Sequence, residues 1–179
     1  MRGGAARGAE TGRTPALWEN DRVGAGMDRW RREFPGIDCS GKAVVGRLLH
    51  LHEIFLTAIN RALAKHKLKY PAFAVLATLR VEGAPYRMSP KALLDTLILT
   101  SGGLSNLLRR LEKAGHIRRM ADEIDGRGVI VELTEKGRKL VEPAMRDHAE
   151  TERRLIAMLS PEERHSIAAG LGRMMLGNR

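Results

Sequence analysis

The amino-acid sequence predicts a mainly α-helical protein with a small β-hairpin, an α+β fold. Apolar residues recur three and four positions apart over most of residues 17–176, which is the period of an α-helix. Only residues 116–120 and 129–133 have strand-like character, and a loop with glycine and aspartate joins them. The 179-residue length and 43% hydrophobic content favour one compact domain with decorations over two domains, and they allow a sizeable core.

Composition and charge limit the classes of binding partner and the cellular compartment that we expect for the protein. The formal net charge of +10 favours an anionic partner, such as nucleic acid or a membrane surface. The single cysteine, Cys39, excludes an intramolecular disulfide framework and indicates a reducing compartment; a reactive thiol sensor is the alternative to a structural cysteine. No run approaches the roughly 18 apolar residues of a membrane span, so we expect a soluble, cytoplasmic protein.

The N-terminal third is predicted to contain a tail and two helices. Residues 1–16 lack large apolar side chains, cannot offset the entropy of folding, and are expected to form a flexible tail. An extra helix over residues 17–36 is indicated by the helical spacing of Trp18, Val23, Met27 and Trp30. Asp38 or Ser40 then caps a long helix whose apolar stripe is Val44, Leu48, Leu51, Phe55, Ile59 and Ala62 or Leu63.

Three further helix starts follow in the middle of the chain. Pro71 suits the first turn of a helix that ends before Gly83. Ser89-Pro90 begins a brief amphipathic helix, and Thr100 or Ser101 caps the next helix almost immediately. Two short helices joined by so few residues predict a helix-turn-helix.

The second helix of this pair has one apolar face and one polar face. With Leu104 inward, the advance of about 100° per residue brings Leu107, Leu108 and Leu111 to the same side. The opposite side carries Gly102, Ser105, Asn106, Arg109, Arg110 and Lys113. Serine and asparagine can bond to base edges or phosphates, and arginine to guanine or phosphate, so we interpret this side as reading duplex DNA. A solvated basic helix face is the alternative.

The predicted hairpin after Gly115 extends this interpretation. Its tip, Asp125-Gly126-Arg127, places one arginine on a projecting ribbon that could enter a minor groove. In the alternative, the acidic residues form the turn and Arg127 is their counterion. These acidic residues lack the ligand spacing of a calcium loop, so no metal is expected.

Two helices are predicted after the hairpin. Thr134 caps a long helix that continues to about Leu159, and Ser160 to Glu163 has the capping-box spacing that opens a final helix. Their apolar positions are Leu140, Ala144, His148, Leu155, Leu159, Ile167, Leu171, Met174 and Met175. These helices pack either within one chain or between two chains.

Four ordered motifs resemble the winged helix-turn-helix of MarR-type transcriptional regulators: residues 99–106, 110–115, 125–128 and 133–137. The resemblance spans roughly residues 38–176. It implies a winged domain over residues 70–137 and a helical dimerisation region formed by residues 38–69 and 138–179. It also implies a homodimer on a pseudo-palindromic operator, with two recognition helices in successive major grooves and two wings in flanking minor grooves. The implied DNA contacts are Ser101, Gly102, Ser105, Asn106, and Arg109 or Arg110 in the major groove, Arg127 in the minor groove, and Ser89 at a phosphate.

Within that family, the chain looks most similar to a branch that includes urate-responsive regulators. There, an aromatic residue on an added N-terminal helix and an Asp/Arg pair help form the ligand site. Trp30 matches the aromatic residue, but Ala74 and Leu107 stand at the Asp and Arg positions. An anionic purine would lack its counterion, so we hypothesise an effector other than urate, or none.

The sequence therefore predicts a sequence-specific DNA-binding regulator, a repressor by resemblance, whose partners are double-stranded DNA and a second copy of the chain. An enzyme, a cofactor and a membrane partner are not expected, since no zinc-protease, paired-cysteine, phosphate-loop or nucleophile-elbow motif occurs. The alternative from another class is a helical dimerisation or protein-interaction module that uses a winged-helix scaffold without specific DNA readout.

Overall fold

The computed structural model describes residues 21–122 and 128–178. In these ranges the helices are α1 (Arg22–Glu33), α2 (Lys42–Leu63), α3 (Tyr70–Val81), α4 (Pro90–Thr96), α5 (Ser101–Lys113), α6 (Glu135–Leu155) and α7 (Pro161–Gly177). The strands are β1 (Arg87–Met88), β2 (Ile117–Ala121) and β3 (Val129–Leu133). The chain divides into two compact units, one ending at Glu53 and the other beginning at Ile54. None of the described helices is both long enough and apolar enough to cross a membrane.

The first unit contains the added helix α1 and the beginning of α2. Asp21 caps α1, since its Oδ1 accepts hydrogen bonds from the backbone nitrogens of Val23 at 2.8 Å and Gly24 at 2.9 Å. Its other carboxylate oxygen accepts from Nε of Arg47 on α2, also at 2.8 Å. One residue therefore both starts α1 and fastens it to α2. Trp18 lies outside the described residues.

Four helices of the second unit begin at the capping residues that the sequence predicts. Each cap is a serine or threonine whose hydroxyl oxygen accepts a backbone N–H of the first turn. The capping residues are Ser89 for α4, Thr100 for α5, Thr134 for α6 and Ser160 for α7. Ser160 and Glu163 complete the predicted reciprocal capping box. In contrast, α6 ends at Leu155, four residues before the predicted end.

The sheet has three strands, which corrects the prediction of a two-stranded hairpin. Strand β3 lies in the centre, antiparallel to β2 on one side and to β1 on the other. Strand β1 is only two residues long, so it carries no alternating pattern that a sequence could reveal. It forms because Arg87 and Met88 meet Glu132 and Val131, more than 40 positions later in the chain.

The core of the second unit joins the helix-turn-helix, the sheet and α6. Its fully buried side chains include Leu63, Leu76, Leu79, Leu93, Leu104, Ile117, Val131 and Val141. These residues come from seven different elements, so the orientation of α5 is set by one continuous apolar cluster. The predicted buried faces of α3 and α5 are both confirmed.

Apolar faces of α2 and α7 are only partly buried within one chain. On α2, Ile59 and Leu63 are buried, but Val44 and Leu51 of the predicted stripe are 49% and 40% exposed. Helix α7 has no buried residue, and Met175 is 70% exposed. Asp38 lies in the turn ahead of α2, where its carboxylate accepts a hydrogen bond from the backbone nitrogen of Ser40 at 2.8 Å.

Candidate nucleic-acid interface

Helix α5 presents a polar, cationic face that its own packing holds outward. Leu104, Leu108 and Leu111 are buried, and Leu107 is half-buried against the same core. The exposed residues of α5 include Ser101, Gly102, Ser105, Asn106, Arg109 and Arg110. All six predicted major-groove contacts on this helix therefore lie on its exposed side, and the leucines prevent the helix from rotating them inward.

The N-terminal turn of α5 is shaped for a close approach. Thr100 Oγ1 accepts a hydrogen bond from the Gly103 backbone nitrogen at 3.1 Å. A β-carbon on Gly103 would lie 3.0 Å from that oxygen, whereas one on Gly102 would meet nothing within 4 Å. Gly102 thus leaves open space at the helix end, where partial positive charge favours a phosphate or a base acceptor.

Arg109 and Asn106 are linked to each other on the exposed face. Arg109 Nη1 donates to Asn106 Oδ1 at 3.1 Å. A carbonyl oxygen has two lone pairs, so Asn106 can still accept from adenine N6 while its amide group donates to N7. Arg109 therefore orients Asn106, and the rest of its guanidinium remains available to guanine or phosphate.

A carboxylate connects the exposed helix to the wing. Glu112 on α5 accepts from the Arg119 backbone nitrogen at 3.1 Å and from Arg119 Nε at 2.8 Å. Hydrogen bonding with Arg119 is the main reason that the pKa of Glu112 lies below its usual range. Because Arg119 belongs to β2, this pair ties the direction of the wing to that of α5.

Glu132 bridges two arginines across all three strands. On β3, it accepts from Arg87 Nε of β1 at 2.5 Å and from Arg118 Nη2 of β2 at 2.6 Å. Its side chain is only 12% exposed, whereas that of Arg118 is 59% exposed. Burial raises the pKa of Glu132, but the hydrogen bonds and charges of both arginines outweigh burial and lower the pKa overall.

Glu132→Gln should destabilise the wing at neutral pH. The folded-state pKa of Glu132 is lowered, so its stabilising effect is present above the unfolded value near 4.5 and is lost as the pH falls through the folded value. We expect a loss of about 1 kcal/mol in the free energy of unfolding at pH 7. Urea unfolding should show this difference shrinking below pH 4.5. Glu82→Gln, at an exposed position, is the control; equal losses for both variants would contradict the bridge.

The sequence did not identify this ionic network. The network consists of the Glu112–Arg119 pair and the Arg87–Glu132–Arg118 bridge. The oppositely charged partners lie 7 to 45 positions apart in the chain. Only the antiparallel register, which places Arg87 and Arg118 opposite Glu132, reveals the pairing.

The two remaining predicted DNA contacts, Ser89 and Arg127, lie outside α5. Ser89 Oγ accepts the Ala92 backbone nitrogen at 3.1 Å, so its hydroxyl hydrogen can still be donated to a phosphate oxygen. Arg127 and the rest of residues 123–127 lie outside the described part of the chain. The wing-tip prediction therefore stays a prediction.

Trp30, the predicted ligand contact, lies on α1 and is 41% exposed. Its ring is 5.9 Å from the ring of Phe34, and the Lys42 ammonium lies 4.4 Å from its centroid. In the second unit, Ala74 is half-buried, and Leu107 packs against the core. Leu107 thus occupies an apolar environment that would penalise a charged side chain.

The chain is similar in sequence to known transcriptional regulators. A family model described as transcriptional regulator SarA/Rot matches residues 57–143. The HTH-type transcriptional regulator PecS of Dickeya dadantii is 36% identical over 148 residues, which cover 83% of this chain and 89% of PecS.

Two structures are similar over most of their length. Sco3205 of Streptomyces coelicolor, a MarR family transcriptional regulator in complex with DNA, aligns with a TM-score of 0.73 and 21% identity, covering 80% of this chain and 91% of Sco3205. Bordetella bronchiseptica BpsR, whose DNA binding is regulated by 6-hydroxynicotinic acid, aligns with a TM-score of 0.66 and 26% identity, covering 73% and 92%. The first likeness establishes the same fold around α5 and the sheet.

Proposed function

The chain belongs to the MarR family of winged helix-turn-helix transcriptional regulators, and we propose that it acts as a homodimeric repressor on a pseudo-palindromic operator. It is a DNA-binding regulator and not an enzyme. The observation that carries the proposal is the exposed face of α5, which combines open space at Gly102 with Asn106, Arg109 and Arg110.

Each part of the interface has a proposed task. Ser101, Gly102, Ser105 and Asn106 approach base edges, because they occupy the exposed N-terminal half of α5. Arg109 and Arg110 bind guanine or phosphate one turn later. Ser89 donates to a phosphate, and Arg127 enters the flanking minor groove.

Sequence-specific binding is tested with the promoter region next to the gene itself. We expect the full-length protein to protect an inverted repeat there, with an affinity that falls steeply as salt rises. Random DNA of the same length is the control. Equal affinity for both DNAs would contradict specific readout and would favour a protein-interaction module on the same scaffold.

The homodimer is proposed to form through residues 38–69 and 138–179. Support comes from the apolar side chains that one chain leaves exposed on these helices: Val44, Val45, Leu49, Ile54, Ile167, Met175 and Leu176. Side chains of this type are buried in stable subunit interfaces. A two-fold axis would then place two copies of α5 on one face of the DNA.

Replacing exposed apolar residues of α7 with glutamate should dissociate the proposed dimer. Ile167→Glu with Met175→Glu introduces two carboxylates at sites that are 47% and 70% exposed in one chain. In a dimer they would be buried without partners, so we expect monomers in light scattering and operator affinity reduced at least about tenfold. Arg173→Glu on the same helix is the control. A double variant that remains dimeric would place the interface elsewhere.

Release by a small organic effector is proposed by comparison with BpsR, whose DNA binding 6-hydroxynicotinic acid regulates. Urate is not the proposed effector, because neither Ala74 nor Leu107 can neutralise or hydrogen-bond an anionic purine. Calorimetric titration with urate should show no saturable binding. Saturable urate binding that releases the operator would contradict this part of the proposal.

A further inference from the structure

The turn between α4 and α5 exposes one large apolar residue completely. Ile98 lies in this turn, two residues before Thr100, which caps α5. Ile98 is fully exposed, whereas the next most exposed large apolar residue in the described ranges is 75% exposed. Contact with water is unfavourable for an aliphatic side chain, and transfer of its surface to an apolar partner is favourable. Ile98 therefore offers apolar surface to a binding partner.

The backbone of this turn directs Ile98 outward. The Leu99 backbone nitrogen donates to the Leu97 backbone oxygen at 2.9 Å, which closes a three-residue γ-turn with Ile98 at its centre. None of these three residues has a positive φ, so the turn is unstrained. Leu97 and Leu99 are half-buried against the core of the second unit. Since both neighbours pack inward, the central side chain projects away from the core.

Both ends of the turn are fixed by the adjoining helices. The Leu97 backbone nitrogen donates to the Leu93 backbone oxygen of α4 at 2.9 Å. Thr100 caps α5 through its bond to the Gly103 backbone nitrogen. Ile98 itself is branched at its β-carbon, which restricts its χ1 angle. Because the turn and the side chain are ordered before a partner arrives, binding loses little conformational entropy.

Ile98 lies beside the open end of α5. A chain spans at most about 3.6 Å per residue, so the Cα atom of Ile98 lies within about 7 Å of the Cα atom of Thr100. The exposed residues Ser101 and Gly102 follow directly, and a β-carbon on Gly102 would meet nothing within 4 Å. DNA that approaches this open end therefore comes within reach of Ile98.

We propose that Ile98 contacts the 5-methyl group of a thymine in each operator half-site and thereby selects an A·T pair at that position. Thymine alone among the four bases carries a methyl group on the edge that the major groove exposes. The Ile98 side chain has no charge and no hydrogen-bonding group, so it can distinguish base edges only by apolar contact. This inference rests on the proposed function, since it places the turn in the same major groove as α5.

Removal of single methyl groups from the operator tests the contact. In the inverted repeat that the full-length protein protects, thymines are replaced one position at a time by deoxyuridine, which lacks only the 5-methyl group. Each replacement is made in both half-sites. At one position we expect wild-type binding to weaken at least about tenfold, because each buried methyl group contributes roughly fourfold. Fluorescence anisotropy at constant salt provides the measurement.

The same scan with Ile98→Ala identifies the contacting residue. This variant should bind the thymine operator about tenfold more weakly than the wild-type protein, and should distinguish thymine from deoxyuridine less than about twofold. Ile98→Val keeps a β-branched side chain and should retain most of the discrimination. Val81→Ala, which shortens a residue that is 69% exposed on α3, is the matched control. Ile98 is exposed, so its variants should keep the wild-type Tm.

The possible failures separate the methyl contact from the proposed function. If Ile98→Ala binds the thymine operator as tightly as the wild-type protein, while replacement of Arg109 and Arg110 abolishes binding, the contact is overturned and the proposed function stands. An equal loss with thymine and deoxyuridine, or dissociation of the dimer in Ile98→Ala, also overturns it, because Ile98 would then contact the sugar or a second copy of the chain. A wild-type protein that does not prefer the operator to random DNA overturns both.

Discussion

Replacing Arg109 and Arg110 together with alanine is expected to weaken operator binding at least about 100-fold. Each arginine of a DNA-reading helix contributes about 1–3 kcal/mol when it contacts a base or a phosphate. Both side chains are exposed at the same turn of α5, and Arg109 also orients Asn106. Fluorescence anisotropy with the operator and with random DNA provides the measurement.

The salt dependence of the same titrations distinguishes phosphate contacts from base contacts. Loss of a phosphate contact weakens operator and random DNA alike and reduces the salt slope by about one per contact. Loss of a base contact reduces the ratio between the two affinities. The control is Arg31→Ala with Arg32→Ala, which removes two exposed arginines from α1. If both double variants weaken operator binding equally, α5 is not the recognition helix.

Replacing Gly137 with alanine is expected to destabilise the fold by about 3 kcal/mol or more. Gly137 is buried in the first turn of α6, and an added β-carbon would overlap the backbone oxygen of His116. It would also lie 2.7 Å from Leu133 Cδ1. The same His116 oxygen accepts the Thr134 backbone nitrogen at 3.0 Å, so it cannot move away without breaking the junction.

Thermal unfolding measures this effect. For a chain of this size, a loss of about 3 kcal/mol lowers Tm by about 6–12 °C. Gly170→Ala on α7 is the control, because a β-carbon there meets nothing within 4 Å, and alanine favours a helix more than glycine. An unchanged Tm in Gly137→Ala would show that α6 and the sheet can separate at little cost.

The exposed polar face of α5 was largely predictable from sequence because its determinants are local. Thr100 caps α5 three residues from its bonding partner, and the leucine spacing alone defines the buried side. The wing was less predictable. Its third strand, β1, and the Glu132 bridge both depend on partners that are far away in the chain. The two-residue sequence of β1 contains no pattern that would predict this pairing.

For this protein, the sequence by itself determined where most helices begin, which side of α5 is exposed, and the family to which the chain belongs. Those features depend on hydrogen bonds and apolar spacing within three or four residues. Only the tertiary structure decided how the wing is tied to α5 through Glu112 and Arg119, and why Gly137 must be glycine. These depend on the distance between segments, which packing sets.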